Sequence, residues 1–190
     1  MIAIAALLLS ASPALVDATT VVPHLALDLR YATTHNLVGE ALYAHARCLL
    51  LPQTAEALAR AEAQLEKQGL ALLAWDCYRP RHVQWALWKK QPTPGLVANP
   101  ARGSNHNRGA AVDVALRHLD GSPLELPTDF DDLTPRAARD ATEGVSAEAQ
   151  RNRAILQAAM RAAGFTTIRR EWWHFDLKGA LQLPVLDEEL

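Results

Sequence analysis

Two stretches of the chain alternate between apolar and polar side chains. Residues 25–32 alternate over their whole length, which predicts a half-buried β-strand. Residues 110–116 also alternate, so that Asp113 faces away from Val112 and Val114. A carboxylate in so apolar a strand is costly to bury unless it is paired or bound to a metal. Asp113 is therefore a candidate for chemistry as well as for structure.

Two further strands are predicted from composition rather than alternation. Residues 70–75 form a short continuous apolar run, and residues 165–177 are rich in β-branched and aromatic side chains. Between them, Asp120-Gly121 predicts a turn that folds a hairpin back through residues 124–126.

Three segments have helical patterns with recognisable ends. The first covers residues 54–68, is capped by its initial threonine and is followed by Gly69. The second covers residues 80–90 and begins at a proline, which the first helical turn tolerates well. The third covers residues 147–163 and is capped by Ser146. The tail after Gly179 is expected to be peripheral.

The order of these elements defines a fold class. Strands and helices mix without regular βαβ alternation, and the hairpin is antiparallel, so we expect an α+β fold with helices packed on a mostly antiparallel sheet. No repeat, low-complexity tract or linker divides the chain, so residues 19–190 are predicted to form a single domain.

Composition narrows the classes of partner. The chain has 190 residues, 49% hydrophobic and 21% charged, which is enough to bury a core. Its net charge is -2 and it has no basic stripe, so a nucleic acid is not the expected partner. The expected partner is a small molecule or a peptide.

Residues 1–18 resemble a secretory signal peptide. Residues 1–9 are almost wholly apolar, and cleavage sites of small residues follow at Ala14 and Ala18. The run is too short to span a bilayer, so a periplasmic or secreted protein without stable membrane association is expected. No Lys or Arg precedes the run, which leaves open a buried N-terminal element in a cytoplasmic protein.

Cys48 and Cys77 are the two cysteines of the chain. In an exported protein they can form one disulfide, whereas in a cytosolic protein they would be buried thiols. Neither has the close cysteine or histidine spacing of a zinc finger, so a structural role is expected in both cases.

Candidate catalytic residues concentrate around His106 and Asp113 and, far downstream, around Glu171 and His174. Two imidazoles and a carboxylate, with a second carboxylate beside them, are the set that catalytic zinc sites use. Glu171 and His174 would face opposite sides of a regular strand, so Glu171 must lie at a bulge or just before pairing begins. On the residues alone, a surface histidine and a salt-bridged aspartate remain alternatives.

The pattern S-x-H-x-x-G-x-A-x-D followed by E-x-W-H resembles the zinc D-Ala-D-Ala peptidases, which include D,D- and L,D-carboxypeptidases and phage endolysins. The resemblance implies the fold shared by these peptidases and Hedgehog domains, with the zinc site on the sheet. It implies one Zn²⁺ held by His106, Asp113 and His174, with Glu171 as the catalytic base.

Other motifs resemble the VanX-type D-alanyl-D-alanine dipeptidase branch, namely D-L-R-Y-A-T at residues 28–33 and D-C-Y-R-P at residues 76–80. That resemblance implies a small D,D-dipeptide as substrate. It implies that Arg79 supports the transition state and that Asp131 receives the substrate ammonium, although Asp129 and Asp132 flank Asp131. The remaining substrate-binding residues it suggests are Ser104, Tyr78, Trp172 and Trp173.

Two other functions stay open. A D,D- or L,D-carboxypeptidase acting on peptidoglycan stem peptides would share the metal site. A non-catalytic zinc or peptide-binding domain would share the fold, but it would need neither Glu171 nor Arg79.

Overall fold

The computed structural model describes residues 14–92 and 97–190. Most of the predicted signal peptide, residues 1–13, lies outside the described residues. The α-helices are α1 (Pro52–Leu65), α2 (Arg81–Lys90) and α3 (Ala147–Ala162). The strands are β1 (Val16–Asp17), β2 (Ala26–Leu27), β3 (Leu49–Leu50), β4 (Leu70–Asp76), β5 (Ala111–His118), β6 (Phe165–Thr167) and β7 (His174–Leu177).

Five of the strands form one sheet in the order β2-β4-β5-β7-β6, while β1 and β3 form a separate antiparallel pair. In the large sheet, β2 pairs with β4 in parallel and the other three pairs are antiparallel. Helices α1 and α3 pack on each other and against the sheet. The predicted α+β class with a mostly antiparallel sheet is confirmed.

The predicted strand over residues 25–32 is wrong in most of its length. Only Ala26–Leu27 pairs with β4, and Arg30–Ala32 turns into a 3-10 helix. The alternation is nevertheless real, because Leu29 and Tyr31 are buried. The side chains of this segment therefore alternate between buried and more exposed positions, although most of its backbone does not pair in a β-sheet.

The predicted strand over residues 165–177 is two strands. β6 and β7 pair as an antiparallel hairpin, and a loop between them carries Glu171. Trp172 leaves the ladder because its ring packs in the core and its backbone N–H donates to the Ala137 carbonyl, 2.9 Å away. The predicted hairpin through residues 124–126 is reduced to one bridge, between Arg117 and Pro123. Proline has no N–H to continue a ladder.

The helix ends are close to those predicted. Ser146 caps α3 by accepting a hydrogen bond from the Ala149 N–H at 3.0 Å. Helix α1 begins two residues earlier than expected because Pro52 occupies its first turn, so Thr54 is a buried helical residue and not the cap. Gly69 ends the following 3-10 turn with a φ of 73°.

The C-terminal tail is not peripheral, contrary to expectation. The Leu186 side chain is buried, and its N–H donates to the Asn107 carbonyl at 2.8 Å. The Tyr78 hydroxyl donates to the Glu188 carbonyl and accepts from the Glu188 N–H, at 2.9 and 2.8 Å. The tail therefore covers the turn that carries His106.

Cys48 and Cys77 form a disulfide that ties the chain before β3 to the chain after β4. Cys48 also accepts a hydrogen bond from the Ala18 N–H through its carbonyl. The disulfide therefore links the N-terminal segment to the segment that ends in Arg79. Among the described residues, no helix is both long and apolar enough to cross a membrane.

Removing this disulfide is expected to lower the free energy of unfolding by about 3–4 kcal/mol, because it closes a loop with a sequence separation of 29 residues. Urea unfolding of the Cys48→Ser/Cys77→Ser double variant, with and without a thiol reductant, measures the change. Reductant should destabilise the wild type and leave the double variant unaffected. A wild-type midpoint insensitive to reductant and equal to that of the double variant would contradict the prediction.

Candidate active site

Three neighbouring strands present polar side chains in one row across the sheet. Asp76 on β4 lies opposite Asp113 on β5, which lies opposite His174 on β7. Residues opposite each other on neighbouring strands project from the same face, so the register alone brings these side chains together. All three are buried.

His106 reaches the row from a short 3-10 turn, His106–Arg108, just before β5. Gly109 ends the turn with a φ of 63°, a conformation that favours glycine. A Cβ atom there would also lie 2.6 Å from the Leu15 side chain and 3.1 Å from the Leu51 backbone nitrogen. Glycine thus permits the sharp turn that brings His106 back over Asp113.

The ligand atoms of His106, Asp113 and His174 all lie within 4.8 Å of one another. His106 Nε2 is 3.1 Å from His174 Nδ1, which is 2.9 Å from Asp113 Oδ1. His106 Nε2 is 3.4 Å from the same carboxylate oxygen. The predicted ligands are therefore brought together from three separate segments.

The outward ring nitrogens of both histidines have their own partners. His106 Nδ1 lies 2.8 Å from the Cys77 carbonyl, and His174 Nε2 lies 2.9 Å from Asp176 Oδ1. Because these oxygens accept, the outward nitrogens donate, and the inward nitrogens of the neutral rings keep their lone pairs. Two such lone pairs and a carboxylate around one point are complementary to a cation. This donor set, with three protein ligands, fits a catalytic Zn²⁺.

The charge on Asp113 follows from its surroundings. Burial opposes its ionisation, but the His106 and His174 imidazoles, when they are protonated in the absence of a metal, hold the pKa of its carboxyl below the usual range. Asp113 is therefore ionised in the folded protein and ready to act as a metal ligand.

Glu171 lies in the loop just before β7, as its spacing from His174 required. Its Oε2 is 3.9 Å from His174 Nδ1. Glu171 also lines a cavity of about 230 Å³ with Leu133 and Arg170, but none of the three predicted ligands lines that cavity. Burial raises the pKa of the Glu171 carboxyl, a protonated His174 opposes the rise, and the negative charge of Asp113 adds to it. A carboxylate placed beside the predicted ligands can exchange a proton with a water molecule bound there.

Arg79 is buried and held on three sides. Asp76 Oδ2 accepts hydrogen bonds from its Nε and Nη2 at 2.9 and 2.7 Å, and Gln84 Oε1 accepts one from Nη1 at 2.8 Å. The guanidinium lies over the Tyr31 ring at 5.0 Å, with Nη2 at 3.9 Å from Asp113 Oδ2. A fixed positive charge therefore lies next to the proposed metal ligands.

Asp131 lies on the other side of Tyr31 and has an unusual backbone, with a φ of 56°. Its Oδ2 accepts from the Leu37 N–H at 2.9 Å and from the Tyr31 hydroxyl at 3.2 Å. Burial raises the pKa of Asp131 to about 7, although the Leu37 hydrogen bond and the charge of Arg79 oppose the rise. Within the described residues, no basic side chain forms an ion pair with Asp131.

Both flanking aspartates have a basic partner. Asp129 pairs with Arg30 at 2.9 Å, and Asp132 pairs with Arg136 at 3.4 Å. Of the three neighbouring carboxylates, Asp131 thus combines burial with the absence of an ion-pair partner among the described residues.

The other suggested substrate-binding residues are less directly placed. Ser104 Oγ accepts from the His106 N–H at 3.3 Å, which puts it beside the ligand turn. Tyr78 is fully buried beneath the tail, with its hydroxyl on Glu188. Trp172 and Trp173 are buried in an edge-to-face aromatic cluster with Trp75 and Phe130. Contact of Tyr78, Trp172 and Trp173 with substrate stays a prediction.

Two polar residues of the site were not found from the sequence. Asp176 follows His174 by two positions, the spacing that puts both on one face of a strand. Gln84 lies in the first turn of α2, one helical turn after Arg79, and is fully buried. The alternation in β7 was a usable signal for Asp176, whereas Gln84 required the tertiary structure.

An α+β sheet, converging imidazole and carboxylate ligands and an adjacent carboxylate and guanidinium together define the layout of a metal-dependent hydrolase. A family model described as Peptidase M15, D-ala-D-ala dipeptidase, matches residues 11–189. The chain belongs to this family.

Curated relatives agree with this membership. The D-alanyl-D-alanine dipeptidase of Escherichia coli K12 is 39% identical over 92% of this chain and 90% of its own length. Those of Enterococcus faecalis V583 and Streptomyces coelicolor are each 33% identical, over 79% and 80% of this chain and 84% and 85% of their own lengths.

Proposed function

We propose that the protein is a zinc dipeptidase that hydrolyses D-alanyl-D-alanine, and free D,D-dipeptides of similar size, to their amino acids. The observation that carries the proposal is the convergence of His106, Asp113 and His174, while the outward nitrogen of each histidine ring is already hydrogen-bonded. Relatives named D-alanyl-D-alanine dipeptidase support the choice of substrate.

His106, Asp113 and His174 would hold the zinc ion, which supplies Lewis-acid polarisation of the scissile carbonyl and lowers the pKa of the attacking water. Glu171 takes the proton from that water and then delivers it to the leaving amine. Its position 3.9 Å from His174 Nδ1 suits both transfers.

Arg79 stabilises the negative charge that develops on the carbonyl oxygen. Asp76 and Gln84 fix its guanidinium before the substrate arrives, so little reorganisation is needed during the reaction. Because guanidinium remains charged at all working pH values, this contribution does not depend on a proton.

Asp131 binds the free ammonium of the substrate. Among the described residues, no protein cation lies at ion-pair distance from its half-buried carboxylate, so the substrate ammonium can form an ion pair with it. A longer or N-blocked peptide would leave that carboxylate unpaired, which disfavours it by the desolvation cost. This contact favours a dipeptidase over a D,D- or L,D-carboxypeptidase that trims stem peptides.

The direct test combines zinc stoichiometry with a substrate panel. The purified protein should bind one zinc ion per chain and hydrolyse free D-alanyl-D-alanine. N-acetylated D-alanyl-D-alanine, L-alanyl-L-alanine and a stem pentapeptide serve as comparisons. Preference for the pentapeptide would establish the carboxypeptidase instead, and zinc binding without any hydrolysis would establish a non-catalytic domain.

Replacing Asp131 by asparagine is expected to lower kcat/KM for free D-alanyl-D-alanine by about 10- to 100-fold, the effect of losing a charged hydrogen bond. Discrimination against the N-acetylated dipeptide should shrink at the same time. Asp129→Asn is the matched control, because Asp129 is exposed and pairs with Arg30. Unchanged selectivity in the Asp131 variant would move the ammonium site elsewhere.

The same substitution has a pH signature. Because the folded pKa of Asp131 is raised from 3.8 to about 7, its ionised form destabilises the fold, and stability is lost as the pH rises through that interval. Asparagine tolerates the positive φ and removes the charge. The variant should therefore have a higher Tm than the wild type at pH 8 but not at pH 4. Equal Tm differences at both pH values would contradict the assignment.

We also propose export, with signal cleavage after Ala14 and not after Ala18. Strand β1 pairs with β3, and Ala18 is buried, so the later cut would remove a paired strand. The Cys48–Cys77 disulfide supports an oxidising compartment such as the periplasm. N-terminal sequencing of the protein from a periplasmic fraction should begin at Leu15. A mature chain that begins after Ala18, or one that keeps Met1 in the cytoplasm, would contradict this.

A further inference from the structure

Asp176 and His174 project from the same face of β7, two residues apart. Asp176 Oδ1 lies 2.9 Å from His174 Nε2, the nitrogen directed away from Asp113. The partner of Asp176 on β5 is Ala111, whose small side chain leaves space on that face of the sheet. The carboxylate is 17% exposed, so it is partly shielded from water.

We infer that Asp176 is a positioning residue for the proposed metal ligand His174, and that it forms a carboxylate–histidine–metal relay with it. By accepting a hydrogen bond from the Nε2–H group, Asp176 fixes the ring tautomer that leaves a lone pair on Nδ1. It also fixes the ring plane, which directs that lone pair towards Asp113 and His106. The inference rests on the proposed metal site.

The two histidines differ in their nearest outward partners. His106 Nδ1 lies 2.8 Å from the neutral Cys77 carbonyl, with the Asp76 carboxylate farther away at 3.5 Å, whereas His174 Nε2 lies 2.9 Å from the Asp176 carboxylate. A charged acceptor forms the stronger hydrogen bond and raises the basicity of the ring as a ligand. Asp176 therefore makes His174 a stronger electron-pair donor to a metal ion.

Asp176 is itself held in place. The Asn105 side chain lies close enough to its carboxylate to interact with it, and Asn105 immediately precedes the other histidine ligand. The backbone carbonyl of Asp176 accepts from the Thr166 hydroxyl at 3.2 Å. The carboxylate thus connects the turn that carries His106 to the strand that carries His174, which an isolated strand aspartate would not do.

The test is zinc affinity, measured by competition with a chromophoric chelator, for wild type, Asp176→Ala and Asp176→Asn. Asp176→Ala is expected to weaken zinc binding by about 10- to 100-fold, the usual effect of removing such a partner. Asp176→Asn keeps an oxygen acceptor without the charge and should lose less. Glu143→Gln removes an exposed charge and is the control.

A second measurement separates positioning from folding. Each variant is loaded with Co²⁺, and its visible absorption is compared with that of the wild type, while the Tm of the metal-free proteins reports on the fold. An altered cobalt spectrum with a metal-free Tm close to that of the wild type is the expected result. If Asp176→Ala does not fold, Asp176→Asn decides the question by the same two measurements.

The outcomes distinguish this inference from the proposed function. Zinc affinities of both folded Asp176 variants within twofold of the wild type, with unchanged cobalt spectra, would overturn the positioning role. A wild-type protein that binds no zinc would instead overturn the proposed function, whatever the variants do.

Discussion

Removing the metal with a chelator is expected to reduce hydrolysis of D-alanyl-D-alanine to background, and one equivalent of zinc should restore it. Without the ion, Arg79 still lies beside Asp113 and can act on the substrate carbonyl, but the Lewis acid that lowers the pKa of the attacking water is lost. Rates measured after dialysis against chelator, and again after titration with zinc, give the result. Activity that survives the chelator in metal-free buffer would exclude the proposed mechanism.

Zinc should also stabilise the fold, independently of any activity. His106 Nε2 and His174 Nδ1 lie 3.1 Å apart, and both direct lone pairs at the same point when the rings are neutral. A cation removes the repulsion between these two lone pairs, so it binds the folded chain in preference to the unfolded one. Zinc at 100 times its Kd should add about 2.7 kcal/mol to the free energy of unfolding. Asp113→Ala should lose this increment, whereas His45→Ala, at an exposed histidine, should keep it.

Local chemistry marked the candidate ligands in the sequence, but the resemblance to the zinc D-Ala-D-Ala peptidases was needed to choose them over a surface histidine and a salt-bridged aspartate. Asp113 is a carboxylate in an apolar strand, and His106 precedes a glycine that the structure holds at a φ of 63°. Glu171 had to precede regular pairing to face the same metal as His174, and it lies just before β7. Each inference used a constraint of the chain itself, namely burial cost, turn geometry or the two-residue period of a strand.

The errors concern features that depend on distant partners. The interval between β6 and β7 has strand-like composition, but the rings of its two tryptophans pack in the core against Trp75 and Phe130. The tail was expected to be peripheral because its sequence has little pattern, yet Leu186 and Glu188 find partners at Asn107 and Tyr78. Local propensity carries no information about such long-range contacts.

The choice among the three neighbouring aspartates illustrates the same limit. The residue pattern left Asp129 and Asp132 as alternatives to Asp131 for the substrate ammonium. Their contacts differ, since Asp129 pairs with Arg30 and Asp132 with Arg136, which favours Asp131 in the proposal. Asp131 is held at a positive φ next to Tyr31, an energetically costly conformation of the kind that occurs at functional sites.

Replacing Glu171 by glutamine is expected to lower kcat by about 10²- to 10⁴-fold, the range over which positioned general bases contribute. The amide has nearly the same shape but cannot take a proton from water. The three ligands stay in place, because Glu171 Oε2 lies 3.9 Å from His174 Nδ1 and makes no short contact with it. Zinc affinity and KM should therefore change little while kcat falls.

This pattern separates catalysis from structure. A variant that merely disturbed the metal site would lose zinc and kcat together, and excess zinc would rescue part of its activity. Glu171→Gln should instead remain slow at saturating zinc, and Glu143→Gln, the same change at an exposed position, should turn over like the wild type. Because the leaving amine must also be protonated, the loss should be larger for D-alanyl-D-alanine than for a dipeptide analogue whose leaving group needs no proton. Wild-type kcat in the Glu171 variant would show that another group accepts the proton, and the nearby Asp131 would then be the residue to replace.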